Sequence, residues 1–476
     1  MVARTPITTR AAGPSPAATK RLGPTQYLGY ASGDAANNLA FSMSSLFLLL
    51  YYTDVAAISA AAVGTMFLVV RFWDALTDLF AGRVVDKAQT RWGKFRPFIL
   101  FGAVPLLLIS MAVFSIPTGL HGTTAALVWA YITYAALGLL YSLVNIPYGS
   151  LAAAMTQVPT ERAKLATWRV YGSNLTILML AFVVAPQIKG SGNLQRSLTI
   201  TTLVFVVVGA VLYLFTFLTA KEQVQRDVPQ VSLRQSFATL KTNRPLIMLC
   251  VSSLMFLTGM IAASTVGAFY ARDVLGNANL FIYMTLVQTA GTFAIAAFIP
   301  KVVRTLGKKR GYLVLGLVAI VAGAGITLAP ASIPAVALLF FFLFGIGVGG
   351  VNTLMWALEA DTVEYGEWKT GVRTEGTTYA LFSFTRKMGQ ALGGSAAAYT
   401  IGLGGYLAGK GVVQPESAKT AIKVAAGLLP AGFILLALAL MFFYPLTERV
   451  FRNVVAEVAA RRAQRVAEAD ESTLEA

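Results

Sequence analysis

The segment VGTMFLVVRFWDALTDLFAGRVV, residues 63–85, has the length of a membrane span but carries charged side chains in its middle. Its other residues are mostly apolar, and about 20 such residues cross a bilayer as a helix. Asp74 and Asp78 lie four residues apart, so a helix places both carboxylates on one face, with Arg71 one turn before them. The segment therefore predicts a membrane helix with an acidic face.

The composition of the whole chain also indicates a membrane protein. Of its 476 residues, 56% are hydrophobic and 12% are charged, whereas soluble proteins carry about 25% charged residues. The chain has one cysteine, Cys250, and one histidine, His121. An internal disulfide is therefore excluded, and we expect no Cys/His metal site.

Twelve stretches are apolar enough to span a bilayer. When the loops between them are assigned alternately to two sides, 28 of the 38 Lys and Arg residues fall on the side that holds both termini, and six fall on the other. Positive residues accumulate in cytoplasmic loops, so we expect both termini in the cytoplasm. The net charge of +17 then reflects topology and not nucleic-acid binding. The predicted spans are 27–52, 58–83, 97–117, 124–154, 165–187, 197–220, 245–271, 279–300, 311–330, 333–360, 377–406 and 420–446.

A repeated loop motif divides the chain into two halves. The sequence GKFR at 93–96 recurs as GKKR at 307–310, an offset of 214 residues. Parallel six-helix halves, with a site between them near the membrane midplane, characterise the major facilitator fold. We therefore predict an all-α integral membrane protein with twelve transmembrane helices and this fold. Its expected parts are a disordered tail (1–24), a first half (25–220), a cytoplasmic linker (221–244), a second half (245–447) and a cytoplasmic tail (448–476).

The acids of the opening segment belong to one half only. The offset places Asp74 and Asp78 opposite the neutral Gln288 and Thr292. An acid inside a membrane helix costs roughly 2.5–3.5 kcal/mol on insertion scales, so it normally faces a cavity or a partner. Two neighbouring carboxylates attract a small cation or share a proton. The alternative is a structural network in which Arg71 neutralises Asp74; we favour a coupling site for H⁺ or Na⁺, with no cofactor.

Polar residues in other predicted spans suit a sugar. Asp34 and Asn38 share one face of span 1, Asn145 lies two residues before a proline in span 4, and Arg169 lies in span 5. Hydrogen bonding between helices is the alternative for the asparagines. Arg169 is the better anchor for an anionic substrate, because its planar fork suits a carboxylate. Span 11 adds two cations, Arg386 and Lys387, and we expect Lys387 to pair with an acid.

An acidic stretch, ALEADTVEYGEWKTGVRTEG at 357–376, ends span 10 on the expected cytoplasmic side. A solvated loop is one interpretation. The other is a gate, because charge networks between moving halves form two-state elements. In that interpretation the acids pair with the basic loop after span 2, or with the second basic loop, when the inner side is closed. The expected gating residues are Arg71, Arg91, Lys94, Arg96, Asp361 and Glu364.

Five long motifs in this sequence resemble the glycoside-pentoside-hexuronide:cation symporter family. They are GDAANNLAFSMSSLFLLLYYTDV, RFWDALTDLFAGRVVDKAQTRWGKFRPF, YSLVNIPYGSLAAAMTQ, MWALEADTVEYGEWKTGVRTEG and SFTRKMGQALGG. The resemblance covers about residues 25–450. Within the family, the stretch from Asn145 onwards and WALEADTVEYGE are most similar to bacterial glucuronide carriers.

The resemblance implies a role for each matching residue. In the related melibiose permease, the acids matching Asp74 and Asp78 bind the coupling cation, helped by a hydroxyl that falls at Ser142. The residues matching Asp34 and Arg169 contact sugar, and the lysine matching Lys387 couples the two sites.

The sequence departs from melibiose permease at three positions. Asn145, which we assign to both sites, replaces a second sugar-binding acid, and this replacement suits an anionic substrate. Gly33 replaces a lysine. Gly149 replaces a stacking tryptophan, and the loss of this aromatic platform argues against a galactoside.

These observations predict a symporter of the bacterial inner membrane that imports a glucuronide or related glycoside with a cation, with H⁺ expected. A Na⁺-coupled carrier of neutral glycosides or pentosides is the main alternative, and a lysolipid transporter is a weaker one, since related folds host it. Beyond the lipid bilayer, the expected partners are the sugar and the cation, with a monomeric chain and no nucleic acid. No P-loop and no nucleophile–base pair is evident, so we expect neither an ATP-driven pump nor an enzyme.

Overall fold

The computed structural model describes residues 21–88, 90–156, 159–190, 192–222, 242–371, 375–409, 412–458 and 460–461. Most of the predicted N-terminal tail, most of the predicted linker and the end of the C-terminal tail lie outside these residues. Within them the protein is all-α, as predicted. The helices are α1 (Pro24–Leu50), α2 (Ala60–Lys87), α3 (Arg96–Val113), α4 (Thr124–Met155), α5 (Pro159–Gly190), α6 (Leu194–Thr219), α7 (Arg244–Phe269), α8 (Leu280–Leu328), α9 (Pro334–Thr370), α10 (Glu375–Leu403), α11 (Glu416–Ala426) and α12 (Leu428–Phe442).

Nine helical segments of the described chain are long and apolar enough to cross a membrane. One of them, α8, is 49 residues long and turns at Gly307, where φ is 76°, so it provides two crossings. Another joins α11 and α12 into a single crossing, Glu416–Phe442. The helices α1 and α10 carry more polar residues, but their 27 and 29 residues also suffice for a crossing. Together these helices are consistent with the twelve predicted crossings.

The helices form two halves that meet along three pairs of helices. In the first half α1 packs on α5 and α6, and α4 packs on α2 and α3. In the second half α7 packs on α10 and α12, and α8 packs on α9. Between the halves α1 contacts α7, α2 contacts α10, and α5 contacts α8. Small residues allow close approaches within a half: on α9, a Cβ on Gly345 would lie 2.1 Å from the backbone oxygen of Gln288 on α8.

The two ends of the helix bundle have different local structures. We call the end that holds the start of α1 and the end of α12 the terminal face, and the other end the opposite face. At the terminal face, the backbone N–H of Leu22 donates to Glu161 at the start of α5 (3.2 Å). At the opposite face, α1 and α7 each continue into a short π-helical turn, Tyr51–Val55 and Tyr270–Val274. The related first helices of the two halves therefore end in the same way.

The glycine of the repeated GK motif has a positive φ in both halves. Gly93 has a φ of 105° and Gly307 a φ of 76°, a region that glycine enters without steric cost. In each half the motif lies against an acid that follows the last helix. Glu222 accepts bonds from the backbone N–H groups of residues 94, 95 and 96 at 2.8–3.0 Å, and Glu448 accepts a longer one from that of Lys308 at 3.4 Å. We call each such arrangement a glycine–acid clasp.

Candidate functional site

A cavity of about 730 Å³ lies between the two halves. It is lined by residues from α1, α2, α4, α5, α9 and α10. Most of the residues predicted to bind sugar or cation line it, including Asn38, Ser142 and Asn145. The charged residues of its described lining are Asp34, Arg71, Asp74, Asp78, Arg169, Arg386 and Lys387.

The first ion pair of the cavity joins α1 to α5. The Nε–H of Arg169 donates to Oδ1 of Asp34 at 2.7 Å, and the side-chain amide of Asn38 donates to Oδ2 of Asp34 at 3.1 Å. The guanidinium carbon of Arg169 lies 5.4 Å from the ring centre of Tyr148, which adds a cation–π contact. Asp34 is buried. The predicted sugar-binding acid and arginine therefore form one unit inside the first half.

The second ion pair lies within α2. Nη1 of Arg71 lies 3.0 Å from Oδ2 of Asp74, and its Nη2 donates to the hydroxyl of Tyr134 at 3.3 Å. Oδ1 of Asp74 is buried without a hydrogen-bond partner among the described residues. This oxygen occupies the space above Gly138 of α4, where a Cβ would lie only 1.9 Å away. Gly138 thus makes room for the acid, a function that the sequence analysis missed.

The third ion pair connects the two halves. Lys387 of α10 donates through Nζ to Oδ2 of Asp78 on α2, and Ser142 of α4 donates to Oδ1 of the same carboxylate at 2.6 Å. The sequence placed Lys387 among the substrate-binding residues and also expected it to pair with an acid. The structure places it on the acid. Asp74 and Asp78 therefore each have their own cationic partner, Arg71 and Lys387.

Asn145 supplies a polar atom without a partner. Its Oδ1 is buried and makes no hydrogen bond to the described residues, yet the residue lines the cavity. A buried acceptor without a donor costs free energy unless a ligand or water supplies one. Asn145 is therefore placed to accept a hydrogen bond from a ligand or a water in the cavity.

The second half contributes an aromatic wall that the sequence analysis did not assign to the site. Arg386 donates through Nη2 to Oδ1 of Asn352 at 2.9 Å, and its guanidinium lies 4.9 Å from the ring centre of Trp356. Trp356 lines the cavity. The sequence does contain a signal for it, because Trp356 directly precedes the acidic stretch 357–376.

The predicted gating residues, apart from Arg71, lie at the terminal face, and Arg91, Arg96 and Asp361 make contacts within their own halves. Arg96 donates through Nε to the backbone oxygen of Phe217 at 3.0 Å, and Arg91 stacks on Trp92. Lys308 of the second basic loop donates to Asp361 at 2.6 Å. Pairing of the acidic stretch with the second loop is thus present, whereas pairing of Asp361 with the first loop stays a prediction.

The gating roles of Lys94 and Glu364 stay predictions. The backbone N–H of Lys94 donates to the acid of its clasp. Glu364 is half-buried at the end of α9. The side chain of Glu375, at the end of the acidic stretch, lies outside the described side chains.

Comparison with known proteins identifies the family. The family model described as MFS/sugar transport protein matches residues 29–448. The chain belongs to this family. It is 49% identical over 443 residues to the "Glucuronide carrier protein homolog" of Escherichia coli K12, covering 91% of this chain and 95% of that protein. It is 32% identical over 450 residues to the "Isoprimeverose transporter" of Lactiplantibacillus pentosus, covering 93% and 92%.

Solved structures show the same fold. The nucleoside transporter NupG has a TM-score of 0.61 at 15% identity, covering 88% of this chain and 98% of that chain. A bacterial homologue of the lysosomal transporter Spinster has a TM-score of 0.63 at 13% identity, covering 90% and 98%. The predicted resemblance and the predicted major facilitator fold are therefore confirmed. The protein is a multi-pass membrane transporter of a sugar-transport family, and its relatives are transporters and not enzymes.

Proposed function

We propose that this protein is a secondary symporter that imports a glucuronide, or a related glycoside, together with H⁺ by alternating access. The observation that carries the proposal is the ion pair between Asp78 and Lys387, which joins the two halves at the cavity. The similarity to a protein named as a glucuronide carrier homolog supports the substrate class.

Protonation of the acids on α2 gives this pair a role in coupling. A proton on Asp78 removes the charge that holds Lys387, so the contact between α2 and α10 weakens when the cation binds. Ser142 keeps the carboxyl group in place through its bond to Oδ1. The second acid, Asp74, and its partner Arg71 lie on the same helix. A Na⁺ ion would act on the same oxygens, since it also competes with Lys387 for the carboxylate.

The charge of the cavity suits a substrate with one carboxylate. Its described lining contains four cations and three acids, a net charge of +1. A glucuronide would neutralise this excess. We assign its carboxylate to Arg169, because a guanidinium has five N–H donors and the bond to Asp34 uses the Nε–H. Asn38, Asp34 and Asn145 then face the sugar hydroxyls.

The location follows from the distribution of positive residues. The terminal face contains the basic loops, so we place it in the cytoplasm, with both termini, and the opposite face outside the cell. The membrane is then the bacterial inner membrane, and the transporter acts as a monomer.

A neutral glycoside is the second candidate. The observation that favours it is the pairing of Arg169 with Asp34, which already neutralises the predicted carboxylate anchor. One relative is named as an isoprimeverose transporter. In this alternative Na⁺ is the coupling ion.

Uptake into membrane vesicles distinguishes the two candidates. Labelled glucuronide uptake is measured under an imposed H⁺ or Na⁺ gradient and is competed with glucuronide or with the matching uncharged glucoside. We expect an H⁺ gradient to drive uptake and the glucoside to compete poorly. Arg169→Lys keeps the charge but loses the planar fork. The binding free energy of the glucuronide, measured by competition, should therefore weaken by about 1–3 kcal/mol.

A second variant, Arg169→Gln, removes the charge and should weaken glucuronide binding more than Arg169→Lys does. If the wild-type protein prefers the glucoside, the glucuronide proposal is wrong. If Arg169→Gln lowers the affinity for both sugars equally, Arg169 is not the carboxylate anchor.

A further inference from the structure

The opposite face carries a charged cluster that the proposed transport mechanism does not use. Its residues are Asp54 in the turn after α1, Arg272 and Asp273 in the turn after α7, and Tyr406 in the loop after α10. Asp54 belongs to the first half, and the other three belong to the second half. The cluster therefore spans the seam between the halves.

Hydrogen bonds connect the cluster across this seam. Nη1 of Arg272 donates to Oδ2 of Asp54. The hydroxyl of Tyr406 donates to Oδ1 of Asp54 at 2.7 Å and accepts from Nη2 of Arg272 at 2.7 Å. Both oxygens of Asp54 are thus bound by groups of the other half, and the carboxylate is buried. Hydrogen bonds between charged groups are roughly twice as strong as neutral ones.

The internal repeat explains how the cluster arose at this position. The turn after α1 reads YYTDV and the turn after α7 reads YARDV, and both are π-helical. Asp54 and Asp273 therefore occupy equivalent positions in the two halves. Arg272 lies between them, because Asp273 also accepts from its Nε at 2.8 Å and from its Nη2 at 2.7 Å. Of the two related acids, only Asp54 reaches across the seam.

Neighbouring contacts close the same face. The backbone N–H of Gly409 donates to the backbone oxygen of Thr53 at 3.1 Å, which joins the two halves beside the cluster. The hydroxyls of Thr65 on α2 and Tyr399 on α10 lie 2.8 Å apart. The structure is therefore closed at the opposite face, and any passage between this face and the central cavity requires these contacts to separate.

We propose that Asp54, Arg272 and Tyr406 form a latch that holds the opposite face closed and must open once in each transport cycle. This proposal rests on alternating access, the proposed function, but not on the identity of the sugar or the ion. Charge neutralisation explains why the latch is reversible. When the halves separate, Arg272 keeps Asp273 as its partner, and Asp54 is exposed to water.

Access to the cavity from the opposite face tests the latch without any substrate. A cysteine at Ser45, which lines the cavity, is introduced in a Cys250→Ser background. Its rate of labelling by an impermeant maleimide is measured from the opposite face of intact cells. Asp54→Asn keeps the shape of the side chain but removes its charge, so we expect labelling to become about tenfold faster or more, the scale of a lost charge-assisted bond.

The matched control is Asp273→Asn. Asp273 binds the same arginine from the same half, whether the face is closed or open, so its loss should not make labelling faster. Tyr406→Phe removes both bonds of the phenol with little change in shape and should act in the same direction as Asp54→Asn, which guards against a folding defect in one variant. Equal rates for Asp54→Asn and Asp273→Asn, or no increase with Asp54→Asn and Tyr406→Phe in protein that purifies as a single species, would overturn the proposal.

The labelling result is independent of the substrate proposal. Failure of the glucuronide to be transported would leave the expected labelling rates unchanged. If the latch proposal is wrong, the glucuronide uptake and the ion dependence expected under the proposed function are unaffected.

Discussion

Replacing Asp78 with asparagine should uncouple transport from the cation gradient while leaving the cavity intact. Asparagine keeps an Oδ1 that can accept the bond from Ser142, which is 2.6 Å long in the wild-type structure. It removes the charge that pairs with Lys387 and the oxygen that takes a proton. We therefore expect Asp78→Asn to lose accumulation against a gradient and to retain exchange of labelled for unlabelled substrate.

The size of the effect on stability follows from the exposure of the pair. The side chains of Asp78 and Lys387 are 23% and 41% exposed, so the pair is intermediate between a surface pair and a buried pair. A surface pair contributes about 0–1 kcal/mol to stability, and disruption of a buried pair costs about 3–5 kcal/mol. We expect Asp78→Asn to lower the free energy of unfolding by about 1–3 kcal/mol, because it leaves Lys387 without its partner. The double variant Asp78→Asn/Lys387→Gln should recover part of this loss.

The assay combines uptake with unfolding in detergent. Accumulation and exchange are measured in vesicles, and a double-mutant cycle is measured by denaturant titration. Glu416→Gln is the control. The Lys419–Glu416 pair (2.7 Å) lies within one helix, and Glu416 is 87% exposed. This variant should change neither transport nor the free energy of unfolding. If Asp78→Asn concentrates substrate like the wild type at equal expression, the coupling role is wrong. If the double variant is no more stable than the single one, the pair does not act as described.

Two further predictions concern topology and packing. Cysteines introduced at the exposed Thr123 and Thr305, in a Cys250→Ser background, should react with an impermeant reagent from opposite sides of the membrane. The cysteine at Thr123 should react in intact cells, and the one at Thr305 only after permeabilisation. Equal reaction from one side would contradict the assigned loops. Gly138→Ala should impair coupling, because its Cβ would lie 1.9 Å from Oδ1 of Asp74 and force that carboxylate to move. Uptake driven by the cation gradient should fall more than exchange does, and unchanged accumulation in well-expressed protein would show that Asp74 can move without consequence.

The sequence predicts the fold well, because long apolar segments and loop charges directly encode membrane topology. It is less informative where a helix leaves the membrane. The basic residues around Lys301 and Arg304 suggest a loop between spans 8 and 9, but the helix continues to the turn at Gly307. Helix formation outside the bilayer needs no apolar residues, so hydropathy does not reveal it.

The candidate site was predictable where partners lie close along the chain. The pair of Arg71 and Asp74 follows from a spacing of three residues on one helix. The pair of Asp34 and Arg169 joins residues 135 positions apart, and that of Asp78 and Lys387 joins residues 309 apart. Helix packing determines these contacts, and a single sequence does not contain that information explicitly.

Contacts at the terminal face show a signal that could have been found. The sequence analysis assigned Lys94 and Arg96 to a gate between the halves. That role stays a prediction, and their backbone N–H groups bind Glu222. The recurrence of an acid after the last helix of each half, at Glu222 and Glu448, was visible in the sequence but was not connected with the repeated glycine motif.

The glycine–acid clasps bear on how the chain evolved from a shorter one. Each clasp joins the loop after the second helix of a half to the residue that follows its last helix, and both partners belong to the same half. An ancestral six-helix unit would therefore have carried its clasp before the gene duplicated. The acids of α2, by contrast, occur in one copy only. Two halves that are each fastened in this way can differ in charge, as they do at α2, without losing the contact that fastens each one internally.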